Sequence, residues 1–185
     1  MAGDRLGNLL ERLGSLLHAT QRGAAGAHGL QRVHLDVLGY LLRCNRYSDT
    51  PTAVGEYLGL TKGTVSQSLR VLEARGLLTR EPDVHDGRVV RLRLTRRGRG
   101  TATRERDHAW ERLRRGTPAQ QRATLELGLE RLLRALQAAT GYRTFGLCRS
   151  CRFLRRREGG FQCGLTGDAL SAPETGKICR EHEAA

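Results

Sequence analysis

The chain has few aromatic residues, which make up 4% of its 185 positions. Proteins that bind single strands stack bases on aromatic side chains, so this shortage argues against general RNA or single-strand binding. Long apolar runs are also missing: no 18-residue apolar stretch predicts a membrane span, and Asp4, Arg5, Asn8 and Glu11 interrupt the N-terminal region. We therefore expect no signal peptide, a cytoplasmic location and no membrane partner.

Recognisable enzyme chemistry is lacking as well, so we expect no enzyme. The sequence shows no Ser/His/Asp arrangement, no phosphate loop and no paired carboxylates in a distinctive setting. Acidic residues are in the minority, with 19 Asp and Glu against 32 Lys and Arg, and the net charge is +13. That excess favours a polyanionic partner. An anionic membrane surface is the competing interpretation, but no strongly basic amphipathic helix stands apart.

The stretch from Gly59 to Gly76 predicts a short helix with both ends encoded. Thr61 is a good N-cap, and Gly76 suits the left-handed residue after a helix. An apolar stripe at i, i+4, i+7 is formed by Val65, Leu69 and Leu72. The other face carries Lys62, Thr64, Ser66, Gln67 and Arg70. Short polar groups and cations of this kind contact base edges and phosphates in a major groove, which indicates a recognition helix.

The flanking segments predict a winged helix-turn-helix. A helix at 51–58 follows a polar cap and a first-turn proline, and Gly59 joins it tightly to the recognition helix. Gly55 is small where the two helices would cross. A strand at 77–80, a polar turn at 81–87 and an alternating strand at 88–95 then form a wing. On the last strand we expect Val90, Leu92 and Leu94 inward and Arg91 and Arg93 outward. Residues 61–99 hold ten basic and four acidic residues, a local charge of +6.

Longer helices flank this unit. Leucine repeats predict amphipathic helices at about 4–22 and from about 118 to 140, with a linker at 23–29 and a buried helix at 30–46. Thr95 caps a polar helix that Gly116 ends. A capping box at 117–120 starts the last helix, and Gly141 ends it. The expected fold is mainly α with a small β-wing, and residues 1–141 form the DNA-binding and dimerisation domain.

Three sequence words in this order resemble the MarR family of winged-helix transcription regulators over about residues 4–140. They are LGLTKGTVSQSL at 58–69, LEARGL at 72–77, and DGR at 86–88 leading to LRLT at 92–95. The resemblance implies a sequence-specific regulator of double-stranded DNA. It also implies a homodimer joined through the first and the last two long helices, which the leucine stripes fit, although such stripes also occur in intramolecular cores.

The resemblance implies roles for single residues, each of which is otherwise a solvated surface position. The residues that would face the major groove are Thr64, Ser66, Gln67 and Arg70. Thr61 and Lys62 would hold phosphates near the helix N-terminus. Arg88 would enter the minor groove from the wing tip, oriented by Asp86, and Arg91 completes the expected DNA-binding set. Peroxide-sensing members use a cysteine near the N-terminus, but the first one here is Cys44, which we expect to be a buried, inert thiol.

Residues 142–185 lie beyond the resemblance and hold four of the five cysteines. Cys148, Cys151, Cys163 and Cys179 have the spacing C-x2-C-x11-C-x15-C, and His182 follows the last of them. Cysteines in a cytoplasmic chain point to metal or redox chemistry rather than to disulfides. The segment has little apolar mass, so we expect a small irregular module that folds around a metal centre.

The sequence leaves the metal open between zinc and an iron–sulfur cluster. Zinc takes four thiolate or imidazole ligands, and Cys148, Cys151, Cys179 and His182 would serve. One close pair followed by two widely spaced cysteines resembles the ligand layout of high-potential iron–sulfur proteins. A [4Fe–4S] cluster would use the four cysteines and leave His182 spare, with Phe153 and Phe161 as shields.

Two regulatory hypotheses follow from these options. In the first, oxidation or loss of the cluster moves the preceding dimerisation helix and changes DNA binding. In the second, the regulator is constitutive, its zinc module is purely structural, and a small-molecule effector binds between the wing domain and the dimer helices.

Overall fold

The computed structural model describes residues 4–27 and 29–185. The helices are α1 (Arg5–Ala27), α2 (Arg32–Arg43), α3 (Pro51–Leu58), α4 (Lys62–Ala74), α5 (Arg96–Gly116), α6 (Ala119–Thr140) and α7 (Ala172–Thr175). The strands are β1 (Leu78–Pro82), β2 (Val90–Leu94), β3 (Leu154–Arg157), β4 (Gly160–Cys163) and β5 (Ala169–Leu170). Within these two ranges, no helix has the length and apolarity needed to cross a membrane.

Helix α2 forms the centre of the core. Its residues Val37, Leu38 and Tyr40 are completely buried, and they pack with Leu69 and Leu72 of α4. Strands β1 and β2 pair antiparallel, with Leu78 opposite Leu94 and Pro82 opposite Val90. The predicted mainly helical fold with a small β-wing is therefore confirmed.

The predicted helix starts are present where the local sequence encodes them. Thr50, Thr61 and Thr95 each accept a backbone N–H in the first turn of α3, α4 and α5. Gly76 has a φ of +64°, the left-handed geometry expected after the recognition helix. A Cβ on Gly55 would lie 3.3 Å from both the carbonyl oxygen of Leu60 and the side chain of Val65, so the close approach of α3 and α4 is confirmed.

Several predicted boundaries are wrong. The first helix continues to Ala27 instead of ending near 22, so 23–27 is helical and not linker; position 28 lies outside the described residues. The alanines in this run favour helix strongly enough to offset its glycines. Helix α2 ends at Arg43 rather than at 46, and α5 includes Gly116. Helix α6 has Pro118 as its N-cap without a side-chain cap, so the predicted capping box is wrong.

The second wing strand departs from its predicted alternation at one end. Leu92 is buried, Leu94 is half-buried, but 38% of Val90 is exposed. Val90 pairs with Pro82 near the wing tip, where the two strands extend past the helical body. The predicted inward position of Val90 is therefore wrong.

Helices α1 and α6 expose the leucines that their periodicity placed on one face. Helix α6 has no buried residue, although it is 22 residues long. The exposed leucines are Leu6, Leu9, Leu13, Leu16 and Leu17 on α1, and Leu125, Leu127, Leu129, Leu133 and Leu136 on α6. Isolated helices draw most of their stability from packing an apolar face, and within one protomer these two faces remain open.

The C-terminal segment is more regular than expected. Strands β3, β4 and β5 form an antiparallel sheet in that order, with Leu154 opposite Cys163 and Phe161 opposite Leu170. A single 3-10 turn spans Cys148–Ser150, and the short α7 follows the sheet. The expectation of an irregular module is wrong, because a tight turn at 158–159 and a short connection at 164–168 allow a meander even in a segment with little apolar mass.

Candidate DNA interface and four-cysteine site

The solvent-facing side of α4 presents the predicted polar groups. Lys62, Thr64, Gln67 and Arg70 are exposed, and Ser66 is half-buried. An Arg70 guanidinium nitrogen donates to Ser66 Oγ at 3.4 Å, which ties these two side chains together on one helix turn. The helix therefore carries its apolar stripe inward and a free polar face outward, as a groove-reading helix requires.

Thr61 is the N-cap of α4. Its hydroxyl accepts the Thr64 backbone N–H at 3.2 Å and lies 2.9 Å from the Thr64 hydroxyl. The predicted N-cap is confirmed. A phosphate contact by Thr61 and Lys62 stays a prediction.

The wing tip holds Arg88 in an extended position. The Arg88 side chain is 91% exposed, and its guanidinium donates to both carboxylate oxygens of Asp86 at 3.0 and 3.2 Å. These hydrogen bonds lower the pKa of Asp86. Asp86 thus orients Arg88 in the way the resemblance implied, and minor-groove binding stays a prediction.

Arg91 is placed differently from the other predicted DNA-binding residues. Only 18% of its side chain is exposed. Its guanidinium donates to Asp83 at 2.6 Å, to Asp49 at 3.0 Å and to the carbonyl of Arg46 at 3.0 Å. The expectation that Arg91 points outward is wrong. Its contacts fix the wing against the loop between α2 and α3.

Asp49 belongs to the site, although the sequence analysis did not predict it. Its side chain is 5% exposed and pairs with both Arg91 and Arg93 of β2. Burial raises the pKa of Asp49, and the two guanidinium groups oppose this shift. The only available sequence signal was an acidic residue beside a helix cap in a basic region, which does not identify a partner 42 residues away.

All four C-terminal cysteines line one small cavity of about 40 Å³. Cys148 and Cys151 flank the 3-10 turn, Cys163 ends β4, and Cys179 follows Ile178 near the C-terminus. The rest of the wall is mainly apolar and consists of Asn45, Tyr47, Phe153, Leu154, Leu165, Thr166, Leu170 and Glu181. The predicted set is therefore brought together around a common space. Phe153 borders it, whereas Phe161, the other predicted shield, is not one of its lining residues.

The thiols do not form a ready site for a single ion. Within residues 4–27 and 29–185, no three His, Cys, Asp or Glu side chains are grouped tightly enough to hold one. Cys148 and Cys179 are nevertheless neighbours. Their proximity lowers the pKa of Cys179 and, together with burial, raises the pKa of Cys148. Thiolates are the forms that bind metal.

Asn45 links the cysteine cavity to the helix-turn-helix. Its side-chain amide nitrogen donates to Cys148 Sγ at 3.6 Å. Asn45 is 6% exposed and lies two residues after the end of α2. No sequence pattern marked it as part of the site.

His182 lies beside the cysteines but does not line their cavity. Its Nδ1 lies 2.9 Å from the Thr144 hydroxyl, and its Nε2 lies 3.1 Å from both the hydroxyl and the carbonyl oxygen of Ser150. The ring packs flat on Gly146, where an added Cβ would come within 2.5 Å. Burial lowers the pKa of His182. Both ring nitrogens are thus engaged in local structure, which does not favour the alternative role as ligand.

Cys44 belongs to the helical core. It is 8% exposed, and burial raises the pKa of its thiol to about 12. The expected burial of Cys44 is confirmed, and a thiol that stays protonated is a poor nucleophile, as expected for an inert core residue.

The cysteine-bearing segment packs on α2 and α3. Phe145 lies edge-on against Tyr40 and Tyr57, with ring centroids 6.3 and 5.3 Å apart. Arg180 donates to both carboxylate oxygens of Glu56 on α3 at 2.7 and 2.8 Å. These hydrogen bonds lower the pKa of Glu56. The segment therefore contacts the DNA-binding unit directly. The sequence had predicted that the segment acts through the preceding dimerisation helix.

Comparisons with known proteins agree with this architecture. The model of the MarR family matches residues 28–89, which contain α2, α3, α4, β1 and the wing turn. No curated protein matches the chain. The structure of a MarR-family transcriptional regulator from Silicibacter pomeroyi is 25% identical with a TM-score of 0.59, and the match covers 70% of this chain and 88% of that one.

Two further solved structures were determined with bound partners. FabT of Streptococcus pneumoniae in complex with DNA is 25% identical, with a TM-score of 0.57 and coverage of 72% of this chain and 95% of that one. CouR of Rhodococcus jostii RHA1 bound to p-coumaroyl-CoA is 24% identical, with a TM-score of 0.60 and coverage of 70% and 92%. The family match over residues 28–89 and the shared fold make this part of the chain similar to MarR-type winged helix-turn-helix regulators, which are DNA-binding proteins and not enzymes.

Proposed function

We propose that this chain is a transcription regulator that binds a specific DNA duplex as a homodimer and responds to a metal centre held by its four C-terminal cysteines. The observation that carries the DNA-binding part is the free polar face of α4 beside the exposed Arg88 of the wing. A helix of this composition fits a major groove, and an arginine held out by a carboxylate fits the adjacent minor groove. FabT, which shares the fold, was solved in complex with DNA, and this supports DNA as the partner.

The predicted residues have two roles in this proposal, since some contact bases and others contact phosphates. Thr64, Ser66, Gln67 and Arg70 face the groove in this proposal, and Lys62 reaches a phosphate beside the N-terminus of α4. Asp86 orients Arg88. Arg91 acts through its ion pairs with Asp83 and Asp49, which hold the wing in place.

Dimerisation is supported by the open leucine faces of α1 and α6. A 22-residue helix with no buried residue gains its stability by packing elsewhere, and a second copy of the chain supplies a matching face. Two protomers related in this way hold their recognition helices about 34–36 Å apart, one turn of DNA.

The four thiols around one apolar cavity support a metal centre, and their spacing along the chain favours a [4Fe–4S] cluster over zinc. The hydrogen bonds of His182 to Thr144 and Ser150 leave the four cysteines as the candidate ligands.

The second candidate is a regulator with a structural zinc site and a small-molecule effector. The neighbouring residues Cys148 and Cys179 would serve as two ligands of one zinc ion, and CouR, with the same fold, was solved bound to p-coumaroyl-CoA. In this case metal removal unfolds the C-terminal segment, and the metal content does not change with redox conditions.

The function is tested by selecting duplexes from a random library and titrating the full chain with the selected and with random DNA across salt concentrations. We expect a clear preference for the selected duplex that persists as salt rises, because base contacts depend less on counterion release than phosphate contacts do. Equal binding of both duplexes at every salt concentration would reject operator recognition. The same titration with metal-free protein tests the regulation, and equal affinity of the two forms would leave the metal centre structural.

A further inference from the structure

One loop contacts both the cysteine cavity and the wing. It comprises residues 44–50 between α2 and α3, and is called the junction loop below. Three of its polar residues are almost completely buried: Asn45 (6% exposed), Ser48 (0%) and Asp49 (4%). Buried polar groups are costly unless they are hydrogen-bonded, so the partners of these three residues hold the loop in one conformation.

On one side the junction loop is bound to the cysteine-bearing segment. The Asn45 amide nitrogen donates to Cys148 Sγ at 3.6 Å. The backbone N–H of Arg180, the residue after Cys179, donates to Ser48 Oγ at 2.8 Å. The loop therefore contacts one of the four cavity thiols through Asn45 and the chain next to Cys179 through Ser48.

Within the junction loop, Ser48 is hydrogen-bonded to Asn45 and to Tyr40 of α2. Ser48 Oγ donates to the Asn45 amide oxygen at 2.7 Å, and the Ser48 carbonyl accepts the hydroxyl of Tyr40 at 2.8 Å. Asn45 is thus fixed at both ends of its amide, by sulfur at one end and by Ser48 at the other. The Asn45 side chain therefore joins the Cys148 sulfur to Ser48, and the Ser48 carbonyl continues this chain of hydrogen bonds to Tyr40.

On its other side the junction loop is bound to the wing. The Asp49 carboxylate pairs with Arg91 and Arg93, and the Asp49 carbonyl accepts the backbone N–H of Leu92 at 2.7 Å. Arg91 also pairs with Asp83, whose carboxylate accepts the backbone N–H of Asp86 at 3.0 Å at the wing tip. These contacts with the junction loop therefore hold the wing in its position.

We propose that Asn45 couples the occupancy of the four-cysteine site to the wing of the same protomer through the junction loop. This inference rests on the proposed function, since it assigns the route by which the metal centre controls DNA binding. Metal bound to Cys148 fixes the sulfur that receives the Asn45 amide, and hydrogen bonds of this kind orient metal ligands. The fixed loop then holds the wing ready for DNA, so the loaded protein binds more tightly.

The test compares the affinity of the full chain for one selected duplex in two states: reconstituted anaerobically with ferrous iron and sulfide, and metal-free. For the natural chain we expect the loaded form to bind about 5- to 150-fold more tightly, the usual range of coupling between two sites. Asn45→Ala should retain metal and sulfide, while its ratio of the two affinities falls towards one. A purely structural role would weaken both states equally and leave the ratio unchanged.

Two further variants keep the test decisive. Ser48→Ala leaves the Asn45 amide on the Cys148 sulfur and breaks the next link, so it should also lower the ratio if Asn45→Ala fails to fold or to load. Lys177→Ala is the matched control, because it removes a 3.1 Å contact between the segment and the Leu42 carbonyl and leaves the side-chain hydrogen bonds of Asn45 and Ser48 in place. Its ratio should equal that of the natural chain.

The outcomes separate the inference from the proposed function. A natural chain whose two states bind DNA equally overturns metal-dependent regulation itself. A natural chain that responds to loading while Asn45→Ala and Ser48→Ala respond just as strongly overturns the Asn45 route, and leaves the regulation standing.

Discussion

Ile178 and Cys179 are consecutive residues whose side chains end in different parts of the protein. Ile178 lies in the core of the helix-turn-helix, 6% exposed, while Cys179 lines the four-cysteine cavity. The backbone of Ile178 donates to the Arg43 carbonyl at 3.0 Å and accepts from the Asn45 N–H at 2.8 Å. The C-terminal segment and the DNA-binding unit therefore share one core.

The shared core predicts that Ile178→Ala destabilises the whole folded unit and not only the C-terminal segment. Loss of a buried isoleucine costs about 2–5 kcal/mol, because apolar burial is lost and a cavity remains. Urea unfolding followed by far-ultraviolet circular dichroism should show one transition shifted to lower urea. Val84→Ala, at a site that is 89% exposed, is the control and should change little. Two separate transitions, with only the smaller one affected, would contradict a shared core.

Gly98 on α5 is predicted to be intolerant of any side chain. An added Cβ would lie 1.8 Å from the carbonyl oxygen of Leu77, a rigid backbone atom. Gly98→Ala should therefore destabilise the protein by at least about 1–3 kcal/mol, the usual cost of overpacking.

Gly100 in the same helix provides the matched control for that substitution. A Cβ there would meet only the end of the Arg104 side chain, at 3.7 Å. Gly100→Ala should stabilise the protein by about 0.5–1 kcal/mol through helix propensity. Equal melting temperatures for the two variants would show that α5 does not approach Leu77 as described.

The wing is predicted to loosen in acid through Asp83. Backbone N–H groups of His85 and Asp86 and the Arg91 guanidinium hydrogen-bond its carboxylate and lower its pKa from 3.8 to about 2. A carboxyl with a lowered folded pKa stabilises the fold above its unfolded pKa and loses that contribution as pH falls through the folded value. The stabilisation should be complete above about pH 4 and disappear between about pH 4 and 2.

Chemical shifts of wing amides followed across that pH window measure this effect. Asp83→Asn keeps an acceptor but cannot titrate, so the amides of His85 and Asp86, which donate to this carboxylate, should show a clearly smaller transition in the same range, with Asp86 still titrating. A transition of equal size in Asp83→Asn would assign the acid response to another group.

Base reading and metal binding should respond to different substitutions. Gln67→Ala or Arg70→Ala removes a side chain from the outer face of α4, and a lost base contact costs about 1–3 kcal/mol for the preferred duplex. Metal content should stay at the natural level in both. Cys148→Ser should have the opposite effect. The protein loses metal, but its relative preference among duplexes is kept. Loss of metal from Gln67→Ala would contradict this separation.

Local signals in the sequence were sufficient for the DNA-binding unit. Thr50, Thr61 and Thr95 cap helices and Gly76 ends one through contacts within a few residues, so each could be predicted without a partner. The cysteine set could be predicted from its spacing, and the structure places all four thiols on one cavity.

Long-range contacts were beyond such signals. The outward position of Arg91 was wrong because Asp49 and Asp83, which pair with it, lie in other elements. The packing of the C-terminal segment on α2 and α3 depends on Phe145, Ile178 and Arg180, which have no periodicity or motif to mark them. The roles of Asn45 and Gly146 likewise follow only from residues more than thirty positions away.

The most direct test of the account is the metal and acid-labile sulfide content of anaerobically purified full-length protein, recorded with its visible absorption spectrum. We predict about four iron and four sulfide per chain and a broad visible absorption, which Cys163→Ser loses. Zinc has a filled d shell and gives no such absorption. A colourless protein with one zinc per chain would contradict the cluster, and a protein with neither metal would contradict the four-cysteine centre altogether.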